Sequence, residues 1–510
     1  MAVLPPPGPG CTSCAARDAV IAEQARVLEE QAAVIAEQAR VLEEQAAAIG
    51  ELRAGVVALA AEVRDLRRRL GRNSGNSSMA PSADDLPGRK PPAPKPMRGK
   101  GGRRPGKQPG APGSHLAWSG SPDKTVPHFP AGTCACGADL AAAAGLGVAA
   151  SHQIVDIPLE TATVTQHDLH EVACRCGRVH RAAAPAGAGA AGTVTYGLAL
   201  QAWCVYLMAA HAIPVHRCAG LIEALTGAEP SPGFVHSMIA RAAAAVAQAN
   251  QAIRCLIILA HVISADETPI RVGPGPKTRK RYLLVACTNL LTYYFLGDRS
   301  MKTFEAFVLP DMGGTVVVHD RYQNYDAIPG LIHQLCAQHI LRDLAGAAET
   351  YPDAHWPVQI SQALQELIHA ANTARAQGLP AIPGEVAAPL IHAFKHGVLL
   401  GLSQIPRIPG RKQEPCRDLL ECLRDRQADV LRFTTDLRIP PTSNQAERDL
   451  RPAKTQQKIS GRLRSEQVTR DRYAIRGYIS TVAKHGAHVL TAIHDALAGN
   501  PWIPPIPDPP

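Results

Sequence analysis

The most regular stretch of the chain lies near its start. From Ala19 the segment AVIAEQARVLEEQA occurs twice in succession, and Ile21, Leu28, Ile35, Leu42, Ile49, Val56, Val63 and Leu70 recur every seven residues. Leu52, Leu59 and Leu66 hold the complementary position in the second half, and Gln24, Gln31, Gln38 and Gln45 hold it in the first. A lone helix would leave this long apolar stripe in water, so the pattern predicts a self-associating coiled coil over 1–72, with a polar seam early and a tight one late. Past about Thr195 the apolar spacing is helical again as far as Leu259. Within it, EPSPGFVHSMIARAAAAV has a turn followed by an amphipathic helix from about Ser231. Two readings fit this 190–258 region: ordinary helical packing, or a helix-turn-helix that reads DNA.

The pattern then changes to β-rich runs. VISADETPIRV (262–272), KTRKRYLLVACTN and LLTYYFLGD are separated by turns and predict a three-strand meander. SMKTFEAFVL is helical, GGTVVVHDRYQNYDA is an apolar run closed by Asp320, and a helix-compatible segment follows it. Three strands, helix, strand, helix, with acids ending the first and fourth strands, is the ribonuclease H-like order. It sets Asp266 and Asp320 at one edge of adjacent strands. Two Mg²⁺ ions about 3.5–4 Å apart need shared carboxylate oxygens of this kind. A third carboxylate must come from elsewhere. Glu447 in TSNQAERDLRPAKTQQKISGRLRS is the candidate, because it opens a basic segment in which Arg448, Arg451, Lys454 and Lys458 are suited to hold phosphates. Taken singly, an Asp at a strand end is ordinary turn chemistry and a Glu before Arg an ordinary surface ion pair; the ordered set is what points to a site.

Charge and cysteines alter the picture between these regions. GRNSGNSSMAPSADD ends the first helix, and a Pro/Gly/basic linker over 73–125 follows, too polar to fold alone. Arg89, Lys90, Arg98, Arg103, Arg104 and Lys107 lie there in a stretch without a single acid, within a chain of net charge +9. Unmixed charge favours an arm on a DNA backbone over a solubilising tether. Over 126–182, CACGADL and CRCGRVH flank a β-rich stretch, so Cys134, Cys136, Cys174 and Cys176 are placed to surround one Zn²⁺. The Cys-x-Cys spacing is less specific than Cys-x-x-Cys, and inert thiols are the alternative. Thirteen scattered cysteines argue for reduced thiols and against a disulfide framework. The 510 residues, 46% hydrophobic, suffice for two or three domains with cores. No secretory signal opens the chain, and Val194–Val215, interrupted by Gln201, Tyr206 and Pro214, reads as a buried helix and not a membrane span. A cytoplasmic protein is expected.

SADETPIRV, VHDRYQNYDA, CAQHILRDL and SNQAERDLRP resemble, in order, four blocks of the insertion-sequence-66-type transposases. GRNSGNSSMAPSADD, GGRRPGKQPGAPGSHL and the paired Cys-x-Cys-Gly elements resemble that family's amino-terminal regions, so the resemblance spans roughly residues 50 to 500. It implies a DDE transposase with Asp266, Asp320 and Glu447 as a triad binding Mg²⁺ or Mn²⁺ in a catalytic domain over 259–500. The 127 positions between Asp320 and Glu447 resemble the family's helical insertion, here about 339–441. The implied activity is binding the terminal inverted repeats of a mobile element, cutting its ends and joining them to target DNA, near the nucleoid and with scope for companion proteins of the same element. Such transposases usually continue ERDLRP with an Arg-Lys-Asn-aromatic run; here it continues AKTQQKISGRLRS, so the phosphate contacts are expected to differ. Two rival readings are a non-catalytic DNA-binding relic and a ribonuclease H-like nuclease without strand transfer.

Overall fold

Helix α1 (Thr12–Gly71) runs unbroken for 60 residues. It contains no proline and is rich in Ala, Glu, Gln, Arg and Leu, all good helix formers. Exposed pairs such as Arg40 with Glu37 at 2.6 Å and with Glu44 at 2.9 Å each add about 0.2–0.5 kcal/mol. The heptad stripe stays exposed along the chain, Leu52 at 70%. The computed structural model describes residues 12–73, 75–76, 118–155, 161–183, 194–273, 279–410 and 413–506. The linker residues Arg89, Lys90, Arg98, Arg103, Arg104 and Lys107 therefore lie outside the described residues.

The described chain divides into two compact units. One comprises α1 and the turn after it, with His339–Glu366 and Ala388–Asp425; the other comprises the remaining described residues. In the first unit Asn73 and Asn76 close α1. Asn76 donates to the Gly71 carbonyl at 2.9 Å, satisfying a C-terminal acceptor of the helix, and to Glu349 at 2.6 Å. Gly346 is required opposite this turn, since a Cβ there would lie 2.4 Å from the Asn76 carbonyl oxygen.

In the second unit β1 (Glu171–Ala173) and β2 (Val179–Arg181) form a small antiparallel ribbon. Next come α2 (Leu198–Val205), a π-helical turn (Tyr206–Ala210), α3 (Val215–Thr226), α4 (Pro232–Ala245) and α5 (Ala247–Ile258). Ser231 caps α4, its side chain accepting from Phe234 N, where the amphipathic helix was expected to begin.

A five-stranded sheet follows, built from β3 (Val262–Val272), β4 (Arg279–Cys287), β5 (Thr292–Gly297), β6 (Val316–His319) and β7 (Ile332–Leu335), with the short helices α6 (Met301–Ala306) and α7 (Gln323–Asp326) in its connections. The strand order is β5-β4-β3-β6-β7. β3, β4 and β5 are antiparallel, and β3, β6 and β7 are parallel, so the first and fourth strands are neighbours as expected. Asp266, expected at a strand end, sits mid-strand. β3 continues to Val272 because Ile270 and Val272 are buried, and β4 pairs with it over that length.

After β7 come α8 (Ala337–Thr350), α9 (Trp356–Ala376), α10 (Gly384–Gln404), α11 (Pro415–Asp425) and α12 (Gln427–Leu431), then α13 (Asn444–Ile459), α14 (Glu466–Lys484) and α15 (Val489–Leu497). Among the described residues α10 is the one helix long and apolar enough to cross a membrane, and its Phe394 and Val398 are buried.

Both faces of the sheet are covered. Ile263, Ala265, Leu284 and Ala286 share a core with α2–α5, α14 and α15, and the alternate residues Ile270, Val272, Leu283 and Val285 pack with Ala446, Leu450 and Ala453 of α13.

Candidate active site

The parallel pairing of β3 with β6 ends at Ser264 opposite Val318. Two residues farther along each strand stand Asp266 and Asp320, the same step past the last pair. β6 stops at His319, so Asp320 lies where the chain leaves the sheet, its carboxylate accepting from Tyr322 N at 2.9 Å. Asp266 accepts from Glu267 N at 2.8 Å. Burial, then the charges of Glu267 and Asp320, and then of Glu447, hold the Asp266 carboxyl well above the usual carboxylate range. Three other acids, from the two strands and one helix, thus act on Asp266. Hard carboxylate oxygens gathered in this way are the donor set that divalent metals such as Mg²⁺ take.

Sequence reasoning overlooked Glu267. It points to the face opposite Asp266, and its side chain is 1% exposed. Burial and Asp320 push its carboxyl up to about 7, against the opposing pull of Arg299 and Tyr325. Arg299 donates to it at 2.7 Å and Tyr325 OH donates at 3.1 Å. Arg299 is in turn packed over the rings of Tyr282 and Tyr322, 4.8 and 4.5 Å from their centroids. Its one signal in the sequence is adjacency to Asp266, which strand alternation would send to the other face.

Glu447 reaches the cluster from the first turn of α13. That helix is anchored by a buried polar network. Asp449 accepts from Lys484 at 2.7 Å, from Thr292 at 3.0 Å and from Gln445 at 3.0 Å, and Tyr294 OH donates to its carbonyl. Lys484 also donates to the carbonyls of Thr288 and Leu291 at 2.9 Å. At the helix start, Ser443 N donates to Cys336 Sγ at 3.2 Å, tying α13 to the end of β7.

Of the basic residues singled out on α13, Lys454 lies within electrostatic reach of Asp266. It is half-buried, donates to the Pro269 carbonyl at 3.4 Å, and lies close enough for Asp266 to offset part of the burial that lowers its pKa. Arg448, Arg451 and Lys458 are exposed, and Arg448 donates to Gln445. His319 is buried, stacked on Tyr325 and hydrogen-bonded to His333 at 3.0 Å; burial brings its pKa down to about 3. With Asp326 these two histidines form a further group with metal-ligand spacing, although Arg426 already pairs with Asp326 at 2.8 Å.

The four module cysteines lie on two matching turns. Cys134 N donates to Ala138 O and Gly137 N to Cys134 O; Cys174 N donates to Arg178 O and Gly177 N to Cys174 O. Gly137 and Gly177 have φ of 90° and 82°, which the turns require. Backbone N–H groups and the neighbouring thiol lower the pKa of Cys136 and Cys174, so each turn suits half of a thiolate site. Among the described residues no three of these sulphurs lie within 4.8 Å of one another.

A family profile described as Transposase IS66 family matches residues 193–471, and one described as a family of unknown function matches 28–117. No curated protein matches the chain. The first match spans more than half of the 510 residues and includes Asp266, Asp320 and Glu447, and on that match the chain belongs to the Transposase IS66 family.

Proposed function

We propose that this transposase is of the DDE type, binding the terminal inverted repeats of its element, cleaving the DNA there and joining the freed ends to a target. The observation that carries this reading is the convergence of Asp266, Asp320 and Glu447 from two neighbouring strands and a helix. The sheet order, three antiparallel strands continued by two parallel ones, supports a ribonuclease H-like catalytic domain over 259–500 with a helical insertion about 339–441. Family membership implies a divalent metal; Mg²⁺ or Mn²⁺ held by the three carboxylates would activate the attacking hydroxyl and stabilise the leaving oxygen of a phosphodiester. Glu267, fixed by Arg299 and Tyr325, orients the strand beside Asp266. Lys454, Arg448, Arg451 and Lys458 line the approach of the phosphate backbone.

The flanking parts complete the reading. The heptads of 1–72 pair two copies, the linker over 73–125 tracks DNA phosphates, Cys134, Cys136, Cys174 and Cys176 hold Zn²⁺ in the 126–182 module, and the helices of 190–258 contribute to DNA binding. The protein works in the cytoplasm at the nucleoid, on element ends and target, with companion proteins of the same element as further partners and no membrane.

Asp266→Asn is expected to abolish Mg²⁺-dependent cleavage of an end-containing duplex while leaving its binding nearly intact, because the amide keeps the shape and loses the charge. Undiminished cleavage by this variant would refute the assignment. Joined products in the wild type distinguish a transposase from a nuclease that only nicks.

A further inference from the structure

Beside α13, on the stripe next to Glu447, a cavity of about 390 Å³ is lined by Arg448, Arg451, Arg472, Arg476, Tyr473 and His211, among others, and by no carboxylate. Four guanidiniums around one space repel each other, at i, i+3 along α13 and at i, i+4 along α14, an arrangement that destabilises helices unless an anion offsets it. Two of the four are built in. Arg472 is 7% exposed and donates through Nη1 to the Met208 carbonyl at 2.6 Å; Arg476 donates to the Ala210 carbonyl at 2.9 Å. Those carbonyls belong to the π-helical turn Tyr206–Ala210, and Ala212 just beyond it holds a φ of 57°, a conformation that is rare outside glycine. The turn thus takes one edge of each guanidinium. The Nε atoms of both arginines and the hydroxyl of Tyr473 are buried without a hydrogen-bond partner. A buried unpaired donor costs about 1–3 kcal/mol, more when charged.

We propose that this cavity is a phosphate-binding pocket that grips one backbone phosphate of the DNA strand entering the acidic site. This rests on the DNA-transposase reading and adds to it a specific holding point, with Arg472 and Arg476 as its floor and Arg448 and Arg451 as its rim. Guanidiniums bind phosphate oxygens through paired N–H groups, and a lining of four arginines without a carboxylate suits that ligand. Arg448 and Arg451 follow Glu447 on the same helix, about 1.5 and 6 Å farther along its axis, so the gripped phosphate belongs to the strand that enters beside Glu447. The pocket acts as a positioning site. Its arginines touch the substrate and leave the acids to the reacting bond.

The test is the salt dependence of binding to a fluorescent 30-base-pair duplex, followed by anisotropy. Each phosphate neutralised contributes about 0.9 to the slope of log K against log[salt]. Arg451→Gln and Arg476→Gln are each expected to lower the slope, and the double variant to lower it by about 0.9 in total, since both arginines serve one phosphate. Arg470→Gln, on an exposed position of α14, is expected to keep the wild-type slope. Arg451 is exposed, so its variant keeps the test decisive even if Arg476→Gln fails to fold. Wild-type slopes in both pocket variants, or losses of about 0.9 from each that add, would overturn the pocket. Variants that keep the DNA slope but lose thermal stabilisation by inorganic phosphate would make it a free-anion site and overturn the DNA assignment. A wild-type chain with no salt-dependent DNA binding would overturn the transposase reading together with the pocket, and so is told apart from failure of the pocket alone.

Discussion

Replacing Lys484 by methionine tests whether the buried network fixes α13 and, with it, Glu447. The Lys484 and Asp449 side chains are 12% and 8% exposed, with Nζ and Oδ2 2.7 Å apart. In Lys484→Met the carboxylate of Asp449 keeps Thr292 and Gln445 as donors but loses its counter-charge, and the carbonyls of Thr288 and Leu291 lose theirs. Removing one partner of a buried pair costs about 3–5 kcal/mol, and the residual exposure of this pair argues for the lower end, about 3 kcal/mol. In a unit of about 350 residues 1 kcal/mol corresponds to about 1.4 °C, so the melting temperature is expected to fall by about 4 °C. Asp449→Asn combined with Lys484→Met leaves no charge buried and is expected to regain at least half of that loss. Scanning calorimetry on the four proteins of this cycle, with Mg²⁺-dependent nicking measured alongside, reads both stability and the placing of Glu447. A Lys484→Met protein melting within 2 °C of wild type, or a double variant as unstable as the sum of the singles, would show that the pair does not hold the helix.

Three further outcomes are expected. Asp298, depressed to about 2 by the hydroxyls of Ser300 and Thr303, contributes stability that is present above the ordinary Asp pKa and lost as pH falls through about 2; the melting-temperature gap between wild type and Asp298→Asn should therefore be open at pH 7 and closed at pH 2, and an equal gap at both would contradict this. Cys134→Ser with Cys174→Ser should release about one zinc per chain, and elemental analysis finding no zinc in the purified wild type would dispose of the zinc site. Deleting residues 1–72 should weaken assembly on paired DNA ends more than binding to a single end, because pairing of the heptads raises the effective concentration of the second copy; unchanged oligomeric state in sedimentation would end that role.

What the sequence discloses about this fold follows from the range of the forces involved. α1 is legible to within a residue of its end because its cause is local: seven-residue spacing, strong helix formers and the Gly-Arg-Asn stop. The order of the first four strands of the sheet is legible for a similar reason, since alternation and turns mark each strand and few topologies accept three strands, a helix and a fourth. The extent of β3 is less so. An acid pair in the middle of an apolar run looks like a strand end, and only the packing of Ile270 and Val272 against α13, some 180 residues away in the chain, keeps the strand going.

The same limit explains which site residues escape notice. Asp266, Asp320 and Glu447 stand out by their place in ordered motifs. Glu267, Asp449, Lys484, Arg472 and Arg476 look in sequence like ordinary surface charges on strands and helices. Burial gives them their roles, by removing water as the alternative partner so that each must find another within the protein or its ligand. Glu267 finds Arg299 and Tyr325, and Asp449 finds Lys484, Thr292 and Gln445. Arg472 and Arg476 find backbone carbonyls for one edge only. Their Nε groups are buried and unpaired, and the cavity the two side chains border lies beside the helix that carries Glu447. Four arginines gathered on one cavity without a carboxylate, next to a cluster of carboxylates suited to phosphodiester chemistry, are most simply matched by the anion that chemistry brings with it.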